Sequence, residues 1–322
     1  MTEKSRILFI GTSAYAVPGL EALAGEGYDI PLVITQPDKP SGRGRKLTPP
    51  PVKIAARRLG IPVLQPASVR DEAFIREMAG WNPDLLVVVS FGRILPKALL
   101  DIPRLGAVNI HPSLLPAYRG PSPIQWAVVN METVTGVTSI YMDEGMDSGD
   151  MIASVKTDID PGETAGELHD RLAVIGSDLL KQTIRMVAAG QARRTPQDHS
   201  RATFAPLLTK SHGRIDWSRP ARELVAFIHG MTPWPGAYTF LNDRRYRILR
   251  AETAATSDSG PPGTVLRSFP GELRVAAGDG VLSVLKIQSQ SGKALPVADF
   301  LRGFPIAAGS VFLQKAIEPS AP

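Results

Sequence analysis

Short apolar runs alternate with longer mixed stretches through the first half of the chain. Residues 6–10 read as a strand that ends at Gly11-Thr12-Ser13, residues 18–24 as a helix, and residues 30–35 as the next strand. Helices are expected over 52–59 and 71–79, on either side of a short strand at 62–64. Residues 85–90 form a continuous apolar run with three consecutive valines, the pattern of a strand buried on both faces. Strands at 107–110 and 136–142 follow, with a helix at 124–130 between them, and a helix from 165 to about 189 closes the series. Such alternation predicts an α/β unit around a mostly parallel sheet.

After Gly190 the texture changes. Residues 191–208 are polar and broken by Pro196 and Pro206, and read as a linker. A helix at 221–229 then precedes short strands at 237–241, 246–251, 263–267, 272–276 and 281–288. Turn residues such as Asn242-Asp243 and Gly278-Asp279-Gly280 separate them, which points to a small β-barrel. The expected division is a first domain over 1–190, a linker over 191–208 and a second domain over 209–322.

Composition narrows the class. The chain has 322 residues, enough for two cores, and its 43% hydrophobic and 21% charged content is that of a globular protein. With no cysteine, thiolate catalysis and sulfur-ligated zinc are excluded. No apolar run reaches bilayer-spanning length and the first strand runs straight into Gly11, so a cytoplasmic protein is expected. Nothing in the sequence demands more than a monomer.

Two nucleotide motifs can be set aside. Gly11-Thr12-Ser13-Ala14-Tyr15 lacks the glycine spacing of a dinucleotide loop, and Gly42-Arg43-Gly44-Arg45-Lys46 lacks that of a phosphate-binding P-loop. Gly11 is expected to permit a tight turn where open α/β sheets bind ligands. None of the five histidines pairs with another at metal-ligand spacing, so no metal is expected. His169, His199, His212 and His229 lie in helix-like or linker stretches and read as solvent-facing or structural.

His111 differs. It lies just beyond the strand at 107–110, and two-residue periodicity places Asn109 and His111 on one side. Pro112 ends the strand. Residues 141–150 follow another strand and carry Asp143, Glu144, Asp147 and Asp150 beside two glycines. If the two strands are neighbours, Asp147 can orient and charge-stabilise His111. An amide donor, an imidazole and a carboxylate are the groups that acyl transfer to an amine requires, with no nucleophilic side chain needed.

These residues resemble the folate-dependent formyltransferases. The likeness is carried by Asn109-x-His111, by Ser113-Leu114-Leu115-Pro116 followed by Arg119-Gly120, by Asp147-x-Gly149-Asp150, and by Ser90-Phe91-Gly92-Arg93-Ile94-Leu95-Pro96. It implies a Rossmann-like catalytic domain that moves a formyl group from 10-formyltetrahydrofolate to an amine. Asn109, His111 and Asp147 would be its catalytic trio. Phe91, Gly92, Ile94 and Leu95, together with Ser113, Leu114, Leu115 and Pro116, would line the folate pocket. Three positions depart from the family's common residues: the run after Gly11, Pro112, and Ala117 before Tyr118.

The likeness extends beyond the first domain, to the branch of the family whose acceptor amine is carried by initiator methionyl-tRNA. Residues 35–47 resemble a loop that enters the acceptor-stem region of that RNA, and Gly213-Arg214-Ile215-Asp216-Trp217, Pro233-Trp234-Pro235-Gly236 and Gly292-Lys293-Ala294 resemble its OB-like second domain. Independently, residues 36–58 carry seven Lys or Arg against the single acid Asp38. A phosphate backbone would be drawn to such a segment, with strong salt dependence. Arg43, Arg45 and Lys46 are the expected loop contacts, and Lys210, Arg214, Lys286 and Lys293 those of the second domain. Two other readings remain at this stage, a formyltransferase with a small amine acceptor and a non-catalytic RNA-binding protein of the same fold.

Overall fold

The structure, a computed structural model, describes residues 4–41, 44, 46–269 and 271–313. By its contacts the chain divides into two compact units. The first holds residues 1–123, 134–158 and 169–205, and the second 124–133, 159–168 and 206–322.

In chain order the first two-thirds run β1 (Arg6–Gly11), α1 (Val17–Gly25), β2 (Asp29–Ile34), β3 (Lys39–Ser41), β4 (Lys46–Thr48), α2 (Pro51–Arg58), β5 (Val63–Leu64), α3 (Glu72–Gly80), β6 (Leu85–Val89), α4 (Lys97–Leu100), β7 (Ala107–His111), α5 (Pro123–Val129), β8 (Val134–Tyr141), β9 (Met151–Asp158) and α6 (Ala165–Ala188). The seven-stranded sheet of the first unit has the order β5-β2-β1-β6-β7-β8-β9. Its first five strands are parallel, and β8 and β9 add antiparallel. Every residue of the valine-rich β6 is buried, as its unbroken apolar run requires. Leu8, Ile10, Leu32, Ile34, Leu86 and Val88 share one core with Phe74, Met78 and Leu99.

Three elements here escape a reading by hydrophobic pattern. The hairpin β3–β4 is too short and exposed to carry one, and α4 is a single turn. The edge strand β9 buries none of its residues fully, although it pairs with β8 from Val134↔Asp158 to Ile140↔Met151.

The second unit contains α7 (Ala221–Gly230), β10 (Ala237–Leu241), β11 (Arg244–Ala254), β12 (Val265–Phe269), β13 (Glu272–Ala276), β14 (Val281–Ser289), β15 (Ala294–Pro296) and α8 (Val297–Gly303). Its strands run in the order β10-β11-β14-β13-β12, all antiparallel, with β15 added to β14. The two edges do not stay open. Residues near the C-terminus bridge both, through Phe240↔Leu313 beside β10 and Thr264↔Val311 before β12. Closing a sheet in this way removes unpaired edges. Trp217 and Phe312 stack inside it at 5.8 Å, and the Trp217 indole N–H donates to Thr239 Oγ1 at 3.0 Å. His229 is structural, as expected: it is buried, one ring nitrogen accepts the Ala251 N–H at 3.4 Å, and burial disfavours its charged form.

Helix α6 begins at a reciprocal cap. Glu167 accepts the Thr164 N–H at 2.8 Å, and the Thr164 hydroxyl accepts the Glu167 N–H at 3.3 Å. The Arg250 guanidinium reaches both Glu167 oxygens, at 2.5 and 2.6 Å. The Thr164 backbone bond, aided by its hydroxyl and by Arg250, outweighs burial and holds the Glu167 carboxyl below its ordinary range. A depressed carboxylate contributes stability above its unfolded value and loses it as pH falls through the folded one. Glu167→Gln is therefore expected to be less resistant to urea than wild type at neutral pH. The gap should close once the pH falls below the ordinary carboxylate range; a constant gap from neutral to acid would exclude this linkage.

Candidate active site

The chain leaves β1 toward β2 and β5, then returns to the other side of β1 as β6 and β7. The reversal makes the carboxyl ends of β1 and β6 the switch point at which open α/β sheets hold ligands. The two ends are tied across it. Ser13 Oγ bonds Ser90 Oγ at 2.7 Å, and Thr12 Oγ1 donates to the Phe91 carbonyl at 3.1 Å. Gly11 proves to be needed for close approach: a Cβ there would lie 2.9 Å from the Val89 carbonyl and 3.0 Å from Ala16 Cβ, and its φ is not positive. Tyr15, in the divergent run after Gly11, is buried and its hydroxyl donates to the Leu172 carbonyl at 3.2 Å.

β7 runs one residue further than its apolar pattern, so that His111 is its last residue. It pairs with β8 in a register that sets Asn109 against Ile140 and His111 against Thr138. The adjacency that the acidic loop required is thus present. The loop after β8 returns Asp147 Oδ2 to 3.6 Å from His111 Nδ1, with the imidazole 6% and the carboxylate 18% exposed. That separation is ion-pair reach, longer than a hydrogen bond. His111 Nε2 lies 2.9 Å from the Tyr118 carbonyl. A carbonyl only accepts, so Nε2 carries a proton and Nδ1 is the nitrogen turned to the acid. Asn109 Oδ1 is buried without a hydrogen-bond partner.

Several residues outside the expected set hold this arrangement. Asp147 sits at φ 52°, a conformation tolerated by aspartate better than by most residues. Its Oδ2 accepts the Gly120 N–H at 2.8 Å, and its carbonyl accepts from Gln197 Nε2 at 2.8 Å. Ser90 and Tyr118 also have positive φ, 47° and 59°. No short motif marks Gln197, which lies in the stretch that reads as linker; its one sequence signal is an amide between Pro196 and Asp198.

The expected folate-lining residues divide by exposure. Gly92 and Ile94 face outward, whereas Phe91 and Leu95 are part of the core beneath. Gly92 has φ +77°, and a Cβ on it would meet Gln36 Nε2 at 2.9 Å. Ser113 is buried and donates to the Ala117 carbonyl at 2.6 Å. Leu114 covers Gly136, Leu115 N–H donates to Thr138 Oγ1 at 3.1 Å, and Pro116 follows it. These four residues shape the turn after His111 from within.

Of the basic residues, Lys46 is exposed on β4 of the hairpin, and Lys210, Arg214, Lys286 and Lys293 are exposed in the second unit. Arg43 and Arg45 lie outside the described residues. One cation counted with the loop does not belong to its surface. Lys53 is 8% exposed on α2, bonded to both Asp38 oxygens at 2.7 and 2.8 Å and to Gln65 Oε1 at 2.6 Å. The Lys53 and Gln65 bonds hold the Asp38 carboxyl below its ordinary range. Among the described residues no three His, Cys, Asp or Glu side chains could hold a metal, and no helix is long and apolar enough to cross a membrane.

A cavity of about 200 Å³ opens on the acidic loop, lined by Tyr141, Asp143, Ser148, Asp150, Arg194 and His199. The loop closes on the strand at Gly149, where a Cβ would fall 1.8 Å from the Tyr141 carbonyl oxygen. That neighbour is backbone and cannot rotate away. Gly149→Ala is expected to cost roughly 1–3 kcal/mol of unfolding free energy through overpacking; a denaturation midpoint equal to wild type would mean that the loop yields freely.

Comparison with known proteins accords with this geometry. Residues 5–184 match the formyl transferase family, and residues 207–305 match the formyl transferase C-terminal domain. The methionyl-tRNA formyltransferase of Syntrophus aciditrophicus is 47% identical over 308 residues, covering 96% of this chain and 99% of that one. That of Pelobacter propionicus is 48% identical over 316 residues, 98% of each chain. Among solved structures, HypX from Aquifex aeolicus in complex with tetrahydrofolic acid superposes with a TM-score of 0.66 at 18% identity, over 99% of this chain and 50% of that one. The sugar 3N-formyl transferase WlaRD superposes with a TM-score of 0.65 at 18% identity, over 90% of this chain and 99% of that one. At such identities these two structures speak for the fold alone. Near-complete coverage at almost half identity speaks for the family: the chain belongs to the formyl transferases and, within them, to the methionyl-tRNA formyltransferases.

Proposed function

We propose that the chain transfers the formyl group of 10-formyltetrahydrofolate to the methionine amino group of initiator methionyl-tRNA, using Asn109, His111 and Asp147. The observation that carries the reading is the pairing of Asn109 with the buried His111 on β7, with Asp147 Oδ2 3.6 Å from His111 Nδ1. An α-amino group, with pKa about 8, is partly neutral at physiological pH and attacks the formyl carbon directly. The new C–N bond forms as the bond from that carbon to the folate nitrogen breaks. The amine proton is handled at His111 Nδ1, and the leaving nitrogen is reprotonated. Asn109 Oδ1, an acceptor, is buried without a partner, and the two N–H donors of the same amide suit the charge that develops on the formyl oxygen. Asp147 orients the imidazole and stabilises its positive charge.

The folate would lie along Phe91, Gly92, Ile94 and Leu95 and against the turn from Ser113 to Pro116, at the strand ends where the sheet reverses. Its fit is supported by the exposed Ile94 and by Gly92, whose missing side chain leaves the backbone approachable. Lys46 on the hairpin, together with Arg43 and Arg45, would contact the RNA acceptor stem. Lys210, Arg214, Lys286 and Lys293 would contact the RNA from the second domain, here taken as 209–322 after a linker at 191–208 and a catalytic domain at 1–190. These contacts fit a monomer working in the cytoplasm, where initiation occurs.

The decisive experiment offers 10-formyltetrahydrofolate together with charged initiator tRNA, uncharged tRNA or small amines. Formylation of the charged tRNA alone is expected, and its absence would overturn the acceptor assignment. Asp147→Asn and His111→Ala should each lower kcat by about 10²–10⁴-fold, with tRNA affinity retained. Wild-type turnover in either variant would end its assignment.

A further inference from the structure

Asp147 is held in a conformation that its side chain alone does not explain. Its φ of 52° is in the left-handed region, and the adjoining Gly149 is buried against the Tyr141 carbonyl. Two carbonyls on this turn, those of Asp147 and Gly149, each accept from Gln197 Nε2 at 2.8 Å. An amide NH₂ has two hydrogens, so both are spent on the loop that carries the carboxylate.

The orientation of that amide is fixed from behind. Arg119 is 5% exposed, and its Nε and Nη2 donate to Gln197 Oε1 at 3.1 and 2.6 Å. Nη2 also lies 3.2 Å from His199 Nδ1. A guanidinium only donates and a carbonyl only accepts, so a flipped Gln197 would face two donors with its NH₂ and two acceptors with its oxygen. One orientation satisfies all four contacts. Arg119 is itself pinned by its backbone, which donates to the Thr203 carbonyl at 2.8 Å and accepts from Ala205 N–H at 2.7 Å. Next to it, Gly120 N–H donates to Asp147 Oδ2. The segment Arg119–Gly120 therefore grips the aspartate twice, at the carboxylate directly and at the main chain through Gln197.

We infer that Gln197, oriented by Arg119, is a positioning residue for formyl transfer: it clamps the 147–149 turn so that the Asp147 carboxylate stays against His111. This rests on the reading of Asp147 as a member of the catalytic trio. Gln197 itself touches no reacting atom. The clamp holds a half-buried acid, at positive φ, at fixed distance from the imidazole, which is where small displacements cost most.

Gln197→Glu separates the clamp from plain structural support. The glutamate keeps an oxygen for Arg119, and gives the buried cation a charge partner, but sets an acceptor against the two carbonyls. The expected result is a melting temperature near wild type, kcat lowered ~10–100-fold and KM for charged tRNA unchanged. Gln197→Glu with wild-type kcat overturns the clamp, and so does a lowered kcat accompanied by a lowered melting temperature or by a raised KM. If that variant does not fold, Arg119→Lys carries the same test, since one ammonium keeps the charge but not the forked donor pair. Asp147→Asn is measured alongside. Wild-type turnover there overturns the aspartate's assignment and the clamp with it; a defect there beside a fully active Gln197→Glu enzyme overturns the clamp alone.

Discussion

An antiparallel strand laid against the last parallel one sets the geometry of this protein. Were β8 parallel to β7, it would end beside His111, at the carboxyl end of the sheet. Instead β8 runs back along β7, with His111 opposite Thr138 and Val108 opposite Tyr141, and the segment after Tyr141 must fold over to rejoin the sheet as β9. That return carries Asp147 over His111. The register also spends Thr138 twice, once accepting from Leu115 N–H and once donating to the Ser113 carbonyl at 2.7 Å. The same pairing thereby shapes the turn beyond the histidine. The fold-back of the segment after Tyr141, held at Asp147 by Gly120 and Gln197, brings the imidazole and the acid together.

Backbone strain gathers around this point. Ser90, Tyr118 and Asp147 all have positive φ, and each lies on a different segment converging on the carboxyl end of the sheet. Such conformations persist only where neighbouring bonds over-determine them. The bonds are present: Ser13 on Ser90, Thr203 Oγ1 accepting Tyr118 N–H at 2.8 Å, and Gly120 and Gln197 on Asp147. Asn109 is different. Its Oδ1 is buried without a partner while its neighbours are satisfied, the usual mark of a group reserved for something that binds.

Much of this was legible in the sequence. The unbroken apolar run of β6 could only be a doubly buried strand, and its neighbours' alternation with helices implied the parallel sheet. Asn109 and His111 followed from two-residue periodicity, and Asp147 from a polar loop after a strand. What stayed hidden has a common physical cause: it depends on partners distant in the chain. β9 is an edge strand whose burial is too weak to show a pattern. Barrel closure rests on backbone bridges made by residues 311 and 313, which no side-chain code records. Gly11 was legible as a special position but for the wrong reason, because a close approach from Val89 cannot be told from a turn without knowing that β1 and β6 are adjacent. Gln197 looks like any linker amide until Arg119 and the acidic loop are placed around it.

The basic hairpin shows how a charge count misleads when folding is ignored. Seven cations against one acid is a large local excess, yet Lys53 is buried and bonded to that acid, so it holds the root of the hairpin instead of presenting charge. Gln65 joins the pair and also donates to the Gln36 carbonyl at 2.7 Å, while Gln36 Nε2 donates to the Phe91 carbonyl at 2.6 Å. Thr12 bonds the same carbonyl. A continuous set of polar contacts thus runs from the hairpin root to the ends of β1 and β6. Buried polar networks of this kind are stable only when every member is satisfied. Removing Lys53 would therefore leave Asp38 without its main partner, and loosen the segment at 91–92 as well as the hairpin. The sequence places basic loop and strand-end crevice in separate motifs; the side chains of Gln36, Asp38, Lys53 and Gln65 make them one surface.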